Sequence, residues 1–288
     1  MIKYIERTRA YYSEQGYPAY QWASNNIIPF AAMQKPLSEC RVVLITTAAP
    51  YRKGLSDQGP GAPLNGAAKF YSVYTVPVTP CPDLRIAHVA YDRKHCKADD
   101  SNTWLPLTAL HHACRKKVFA NLAGELIGVP TNRSQRVTLT QDAPKTLEYV
   151  QALQADVALL VPNCPVCHQS VSLIARYLEE HEVPTVVMGC ARDIVENVGV
   201  PRFWWSDFPL GHAAGKPHDS NSQAATLAGA LQLFTTAQVA ATTVQSPQMW
   251  SNNDDWKQDF MNIENLNAEH IERLKGEHEK TRAMKKRG

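Results

Sequence analysis

Apolar positions along the chain fall into helical and strand-like runs. Residues 3–15 place Ile5, Tyr11 and Tyr12 at helical spacing, and Gly16-Tyr17-Pro18 ends the run. From there to Pro36 no period holds, as expected of an arm lying over a core. Residues 40–47 (CRVVLITT), 156–162 (DVALLVP) and 183–188 (VPTVVM) are unbroken apolar, β-branched-rich runs. That pattern predicts parallel strands buried on both faces. A helix over 167–181 joins the second to the third, and a strand–helix–strand unit requires a parallel sheet with a right-handed crossover.

Weaker signals fill the rest. Residues 85–89 are a short strand candidate, and 124–129 and 137–139 are apolar pieces. Asp99, Asp100 and Asn102 cap a turn before a helix over 105–120, with Pro106 early. Further helices are predicted over 142–155 and 222–234. Residues 250–288 are charged, with one amphipathic helix around Ile263, Leu266, Ile271 and Leu274. A Gly/Pro/Ser-rich stretch runs through Gly66, and a loop that long is usually functional or mobile. The fold class expected is α/β: a mostly parallel sheet flanked by helices, Rossmann- or flavodoxin-like, with two similar halves (40–140 and 150–240) as an option. Residues 1–39 form the N-terminal helix and arm, 40–240 the core, and 241–288 a charged helical tail.

Composition narrows the partners. The chain has 288 residues, 44% hydrophobic, with a formal net charge of +3. This excludes general disorder and gives no footprint for nucleic acid. No apolar run reaches about 18 residues, so no membrane span is expected. The N-terminus lacks an apolar signal core, which predicts a cytoplasmic protein. Neither GxGxxG nor GxxxxGK[ST] occurs, so no tightly bound nucleotide is expected. Seven cysteines, an odd and scattered set, read as reduced thiols in which a close pair is suspect.

That pair is Cys164 and Cys167, in Asn163-Cys164-Pro165-Val166-Cys167-His168. It follows a predicted parallel strand, where α/β proteins place ligands. The second cysteine is expected to start the next helix, whose N-terminal dipole favours a thiolate. Attack by one thiolate and resolution by the other is the chemistry this spacing allows. Three other readings compete. A zinc site needs two further ligands, and no second CxxC or HxxxH is present. Haem c attachment needs export. Buried structural cysteines need no chemistry at all.

Residues 156–180 (DVALLVPNCPVCHQSVSLIARYLEE) resemble the active-site region of the selenoprotein B family, the substrate-reducing subunits of glycine, sarcosine and betaine reductase, with D-proline reductase as a relative. Val183-Pro184-Thr185-Val186-Val187, Val198-Gly199-Val200-Pro201-Arg202 and Phe208-Pro209-Leu210-Gly211 resemble its later segments. Residues 41–47, 88–92, 100–107 and Ile127-Gly128 resemble earlier ones. The resemblance spans about residues 40–234 and places Cys164 at the selenocysteine position and Cys167 at the cysteine. It implies reductive cleavage of an activated C–X bond. Cysteine in place of selenocysteine demands stronger local activation. The family's pyruvoyl-bearing partner subunit has no counterpart within this chain, so reduction of glycine or proline by this chain alone is not implied.

Several residues are candidates beside the pair. His168 is a stabiliser of the thiolate or a proton donor. Gln169 and Ser170, in the same first helical turn, are candidate ligands for a substrate carboxylate. Thr47 ends the first strand. His88, Asp92, Asp99, Asp100 and Asn102 reach the same sheet edge if residues 85–89 run parallel beside that strand. Arg202, before Phe203-Trp204-Trp205, is a candidate anion holder, and the Pro209-Leu210-Gly211 turn aims His212.

Three functions follow. The first is a thiol-dependent reductase using Cys164 and Cys167, with a small-molecule substrate, anionic as one option, and an external dithiol or thioredoxin-like protein as electron donor. The second resembles aspartate/glutamate racemases or a decarboxylase, with Cys164 opposed by Cys190 or His88. The third is a non-catalytic subunit contacting partners through residues 203–205 and the arm. A homodimer is the default assembly.

Overall fold

The computed structural model describes residues 1–51, 70–88 and 90–285. Most of the Gly/Pro/Ser-rich stretch and Val89 lie outside the described residues.

The strands are β1 (Arg41–Thr46), β2 (Ala49–Pro50), β3 (Tyr74–Pro77), β4 (Leu84–Arg85), β5 (Asn121–Leu122), β6 (Glu125–Gly128), β7 (Val157–Val161), β8 (Thr185–Gly189), β9 (Arg202–Trp205) and β10 (Thr242–Gln245). The helices are α1 (Tyr4–Glu14), α2 (Leu107–Arg115), α3 (Gln135–Val137), α4 (Ala143–Ala152), α5 (Pro165–Glu180), α6 (Arg192–Val198), α7 (Ser220–Thr236) and α8 (Ala268–Lys285). A π-helical turn joins α3 to α4. Eight strands make one sheet in the order β10-β9-β8-β7-β1-β6-β3, with β5 also on β1. Every pairing in it is parallel except that of β3 with β6. The fold is therefore α/β with a mostly parallel sheet.

The unbroken apolar strands have a simple cause. Val42 and Leu44 of β1 pack in a core shared with α2 and α7, while Val43 and Ile45 pack in a second core with α4 and α5. Both faces are covered, so successive side chains must all be apolar.

Strand order creates a crevice. The chain leaves β1 toward β6 on one side and leaves β7 toward β8 on the other. Between two strands whose connections diverge, the carboxyl edge of a sheet stays open. Strands from 40–140 and 150–240 meet there, in register from Val42 against Val157 to Thr46 against Val161.

The structure departs from the sequence expectations at several points. Among the described residues of the predicted 85–89 segment only Arg85 is strand; with Leu84 it pairs antiparallel with Ala49–Pro50 in a separate two-stranded sheet. The tail helix does not include Ile263 or Leu266. The Asn262 side chain accepts the Glu264 N–H and holds residues 263–265 in a 3₁₀ turn. The aromatic run is buried within the chain: Phe203 and Trp205 in one core, Trp204 in the other. It offers no contact surface. Among the described residues, no helix is long and apolar enough to cross a membrane.

The arm is tied to the core by a buried ion pair. Arg202 Nη1 lies 2.9 Å from Glu179 Oε1, with side-chain exposures of 1% and 0%. Arg202 also donates to Ala31 O, and Glu179 accepts from Ala31 N–H and Thr185 Oγ1. Phe30 lies under the guanidinium. Removing one partner of such a pair leaves an uncompensated buried charge. Arg202→Met is expected to destabilise the fold by about 3–5 kcal/mol, measured by urea denaturation. A loss below about 1 kcal/mol contradicts this role.

Candidate active site

The crevice between β1 and β7 is where the cysteine pair sits. After β7 come Pro162, Asn163 and Cys164, and α5 then starts two residues earlier than predicted. The reason is Pro165, whose fixed φ suits the first helical position and whose missing N–H costs nothing there. Cys164 is therefore the N-cap, with Cys167 one turn inside. The Cys167 N–H donates to Cys164 Sγ at 3.3 Å. The two sulfurs face each other at 2.6 Å, longer than the roughly 2.05 Å of a disulfide. None of the described cysteines is in a disulfide.

Other segments converge on the pair. Thr131 Oγ1 lies 3.3 Å from Cys167 Sγ. The His88 imidazole joins the two thiols so that one nitrogen and two sulfurs lie within 4.8 Å of one another. His88 Nε2 lies 2.8 Å from Thr47 O. A carbonyl only accepts, so Nε2 carries a proton. Thr47 also links the strand ends, its Oγ1 accepting the Asn163 N–H. His88 reaches the crevice from beyond β4, not from the main sheet.

Electrostatics distinguish the thiols. Burial, the largest influence on Cys167, pushes its pKa up. The Cys164 hydrogen bond, the charge and hydrogen bond of His88, and the Thr131 hydrogen bond together outweigh it, holding Cys167 well below the usual thiol value. Cys190 is the opposite case. Burial first, then the Asp207 carboxylate, pushes its thiol far up. Near neutrality it stays protonated, so of the two roles the racemase-like reading gives the opposing thiol, only that of proton donor suits it.

Most of the other polar candidates are already engaged. His168 is fully buried; its Nδ1–H donates to Cys164 O at 2.8 Å and its Nε2 accepts the Cys190 N–H at 2.9 Å. Both nitrogens are spent on backbone, so His168 positions the loop and does not serve the thiols as a proton donor. A side chain at Gly189 would collide with this ring. Gln169 accepts the Ala23 N–H and donates to Tyr20 Oη, so it holds the arm. Ser170 Oγ is buried with no hydrogen-bond partner among the described residues. Asp100 caps a turn through Asn102 N–H and Nδ2, and takes His218 N–H and Gln223 Nε2 on its other oxygen. His212 is buried against Trp250. Arg202 lies at the amino end of β9, the opposite sheet edge from the thiols, where Glu179 meets its charge.

Sequence reasoning missed the cavity beside the pair. It measures about 500 Å³ and is lined by Tyr12, Tyr20 and Trp22 from α1 and the arm, by Arg133, and by Pro165 and Val166 between the cysteines. That volume suits a small molecule. Arg133 has no carboxylate partner among the described residues and lies 5.8 Å from the Tyr12 ring centroid. Asn163, beside Cys164, buries an amide whose oxygen and nitrogen both lack a partner among the described residues. Thr131 and Arg133 follow β6 at the carboxyl edge, and the placement rule for parallel strands was the signal that would have found them.

The His168 bridge has a pH signature. Burial pushes its pKa down to about 4, against the raising effect of the Cys164 carbonyl. Unfolded histidine titrates near 6.5, so the unfolded chain binds the extra proton as pH falls. The contribution of His168 to stability is complete above pH 6.5 and lost toward pH 4, about 2 kcal/mol of it by pH 5. Asp142 and Asp193, raised by burial to about 6, act in the opposite sense. The comparison is therefore with His168→Gln. Between pH 7 and 5 its urea midpoint should fall less than that of the unsubstituted chain; parallel pH profiles contradict the bridge.

Comparison with known proteins agrees at a coarse level. A stretch of 144 residues, 50% of this chain, is 24% identical to D-proline reductase subunit gamma of Acetoanaerobium sticklandii and covers 59% of that subunit. No protein-family model and no solved structure matches. The chain is a distant relative of that reductase family.

Proposed function

We propose that the protein is a thiol-dependent reductase that cleaves an activated C–X bond of a small molecule with Cys164 and Cys167. The observation that carries this reading is the pair of sulfurs 2.6 Å apart at a helix N-terminus in the switch-point crevice. The distant similarity to a D-proline reductase subunit supports a reductase-related role.

Cys164 is the attacking sulfur in this reading. It is 4% exposed against 0% for Cys167, and Pro165 and Val166, which follow it, line the cavity. The Cys167 thiolate, the more acidic of the pair, takes the Cys164 proton, and the Cys164 thiolate attacks the carbon bearing X and expels X⁻, giving a thioether. Cys167, deprotonated again, then attacks Cys164 Sγ, closing the disulfide. The carbon keeps the electron pair and takes a proton. The sum is R–X plus two thiols giving R–H, HX and one disulfide, a two-electron reduction of substrate matched by two-electron oxidation of the pair. A thioredoxin-like or small dithiol donor reduces the disulfide and is itself oxidised. Arg133 holds an anionic group of the substrate, and the arm's aromatics exclude water. The Asn163 amide supplies a donor and an acceptor beside the reacting sulfur.

Phenacyl chloride with dithiothreitol is a suitable probe. The unsubstituted chain should release acetophenone over many turnovers, above the rate of dithiothreitol alone. Cys167→Ser should stop at one phenacyl group on Cys164, seen by peptide mass mapping. Cys164→Ser should do neither. Turnover that survives Cys164→Ser refutes the proposal.

A further inference from the structure

The imidazole of His88 is more than redox chemistry between two thiols requires. Each of the three groups that converge here is also held by a hydrogen bond. His88 Nε2–H donates to Thr47 O at 2.8 Å. Cys164 Sγ accepts the Cys167 N–H at 3.3 Å. Cys167 Sγ lies 3.3 Å from the Thr131 hydroxyl. Metal-ligating histidines characteristically spend the second ring N–H on a carbonyl or carboxylate, which fixes the tautomer and aims the other nitrogen.

We propose that, in the reduced protein, His88, Cys164 and Cys167 hold a zinc-class divalent cation through one imidazole nitrogen and two thiolates. The three ligand atoms lie within 4.8 Å of one another and all three residues are buried. Nε2 is protonated, so Nδ1 is the coordinating atom. Two thiolates and an imidazole are soft donors, which select zinc over magnesium or calcium. Bonds of about 2.3 Å to sulfur require the two sulfurs to move apart by about 1 Å, to the span of a tetrahedral site. Three protein ligands leave the fourth position for water or a substrate atom, the arrangement of catalytic zinc sites. Binding releases the protons that the three ligand groups still carry and changes no oxidation state. It competes with the disulfide, since a sulfur bonded to its neighbour is no longer a thiolate ligand. The inference shares its sulfurs with the proposed reductase reaction but does not depend on it.

Anaerobic titration of the reduced full chain with Co²⁺ tests it. One equivalent should bring up sulfur-to-cobalt charge-transfer absorption and intense tetrahedral visible bands, both abolished by one equivalent of Zn²⁺. His88→Gln should weaken binding by more than about 10-fold, the loss that follows even removal of an outer partner. Its far-UV circular dichroism confirms that the variant is folded. Independently of any substitution, Zn²⁺ should protect Cys164 and Cys167 from alkylation while leaving Cys114 unprotected. Absence of saturable tetrahedral bands, or equal affinity in folded His88→Gln, overturns the proposal. Neither result bears on acetophenone release by the zinc-free protein, so the two readings fail separately.

Discussion

Parallel pairing of β1 with β7, in register from Val42 against Val157 to Thr46 against Val161, decides where the cysteine pair sits in this molecule. The two strands end level, and their connections then diverge to opposite sides of the sheet. Thr47 and Asn163 are left side by side at an open edge, linked through the Thr47 hydroxyl. Cys164 follows at once as the cap of α5. The crevice, the helix N-terminus and the thiols are thus consequences of one backbone register. Shifting β7 by one residue would exchange the two core faces.

Rigid supports surround that edge. His168 locks the carbonyl of Cys164 to the amide of Cys190, so the loops after β7 and β8 hold one another. Gln169 and Glu179, on α5, grip the arm at Ala23 and Ala31. The arm carries Tyr20 and Trp22 into the cavity wall. Polar side chains of α5 that look free in the sequence are spent on fixing that wall. The proposed thiol chemistry would gain from this rigidity, because the two sulfurs must meet without first ordering a loop.

The strands and the cysteine pair were legible because their signals are local. Burial on both faces forces runs such as those at 40–47 and 156–162, and CxxC is contiguous. The gathering of His88, Thr131, Arg133, Tyr12 and Tyr20 was only partly legible. These residues come from separate segments, and strand order rather than periodicity brings them together. Residue type misled at Arg202 and Gln169, where a polar group suited to a ligand meets a backbone or carboxylate partner far away in sequence. In the tail, Ile263 and Leu266 have helical spacing, but a side-chain cap at Asn262 diverts the backbone into a tighter turn. Spacing does not report such competition between a side chain and the helix.

The crevice at the β1–β7 edge is proposed to hold a redox-active dithiol. Equilibration of the zinc-free full chain in glutathione buffers of stepped potential, followed by acid quench and peptide mass mapping, tests it directly. The account predicts one disulfide, Cys164 to Cys167, that forms and clears reversibly in a two-electron transition while Cys40, Cys96, Cys114 and Cys190 stay thiols. A pair that stays reduced across the series, or that links to another cysteine instead, would contradict it.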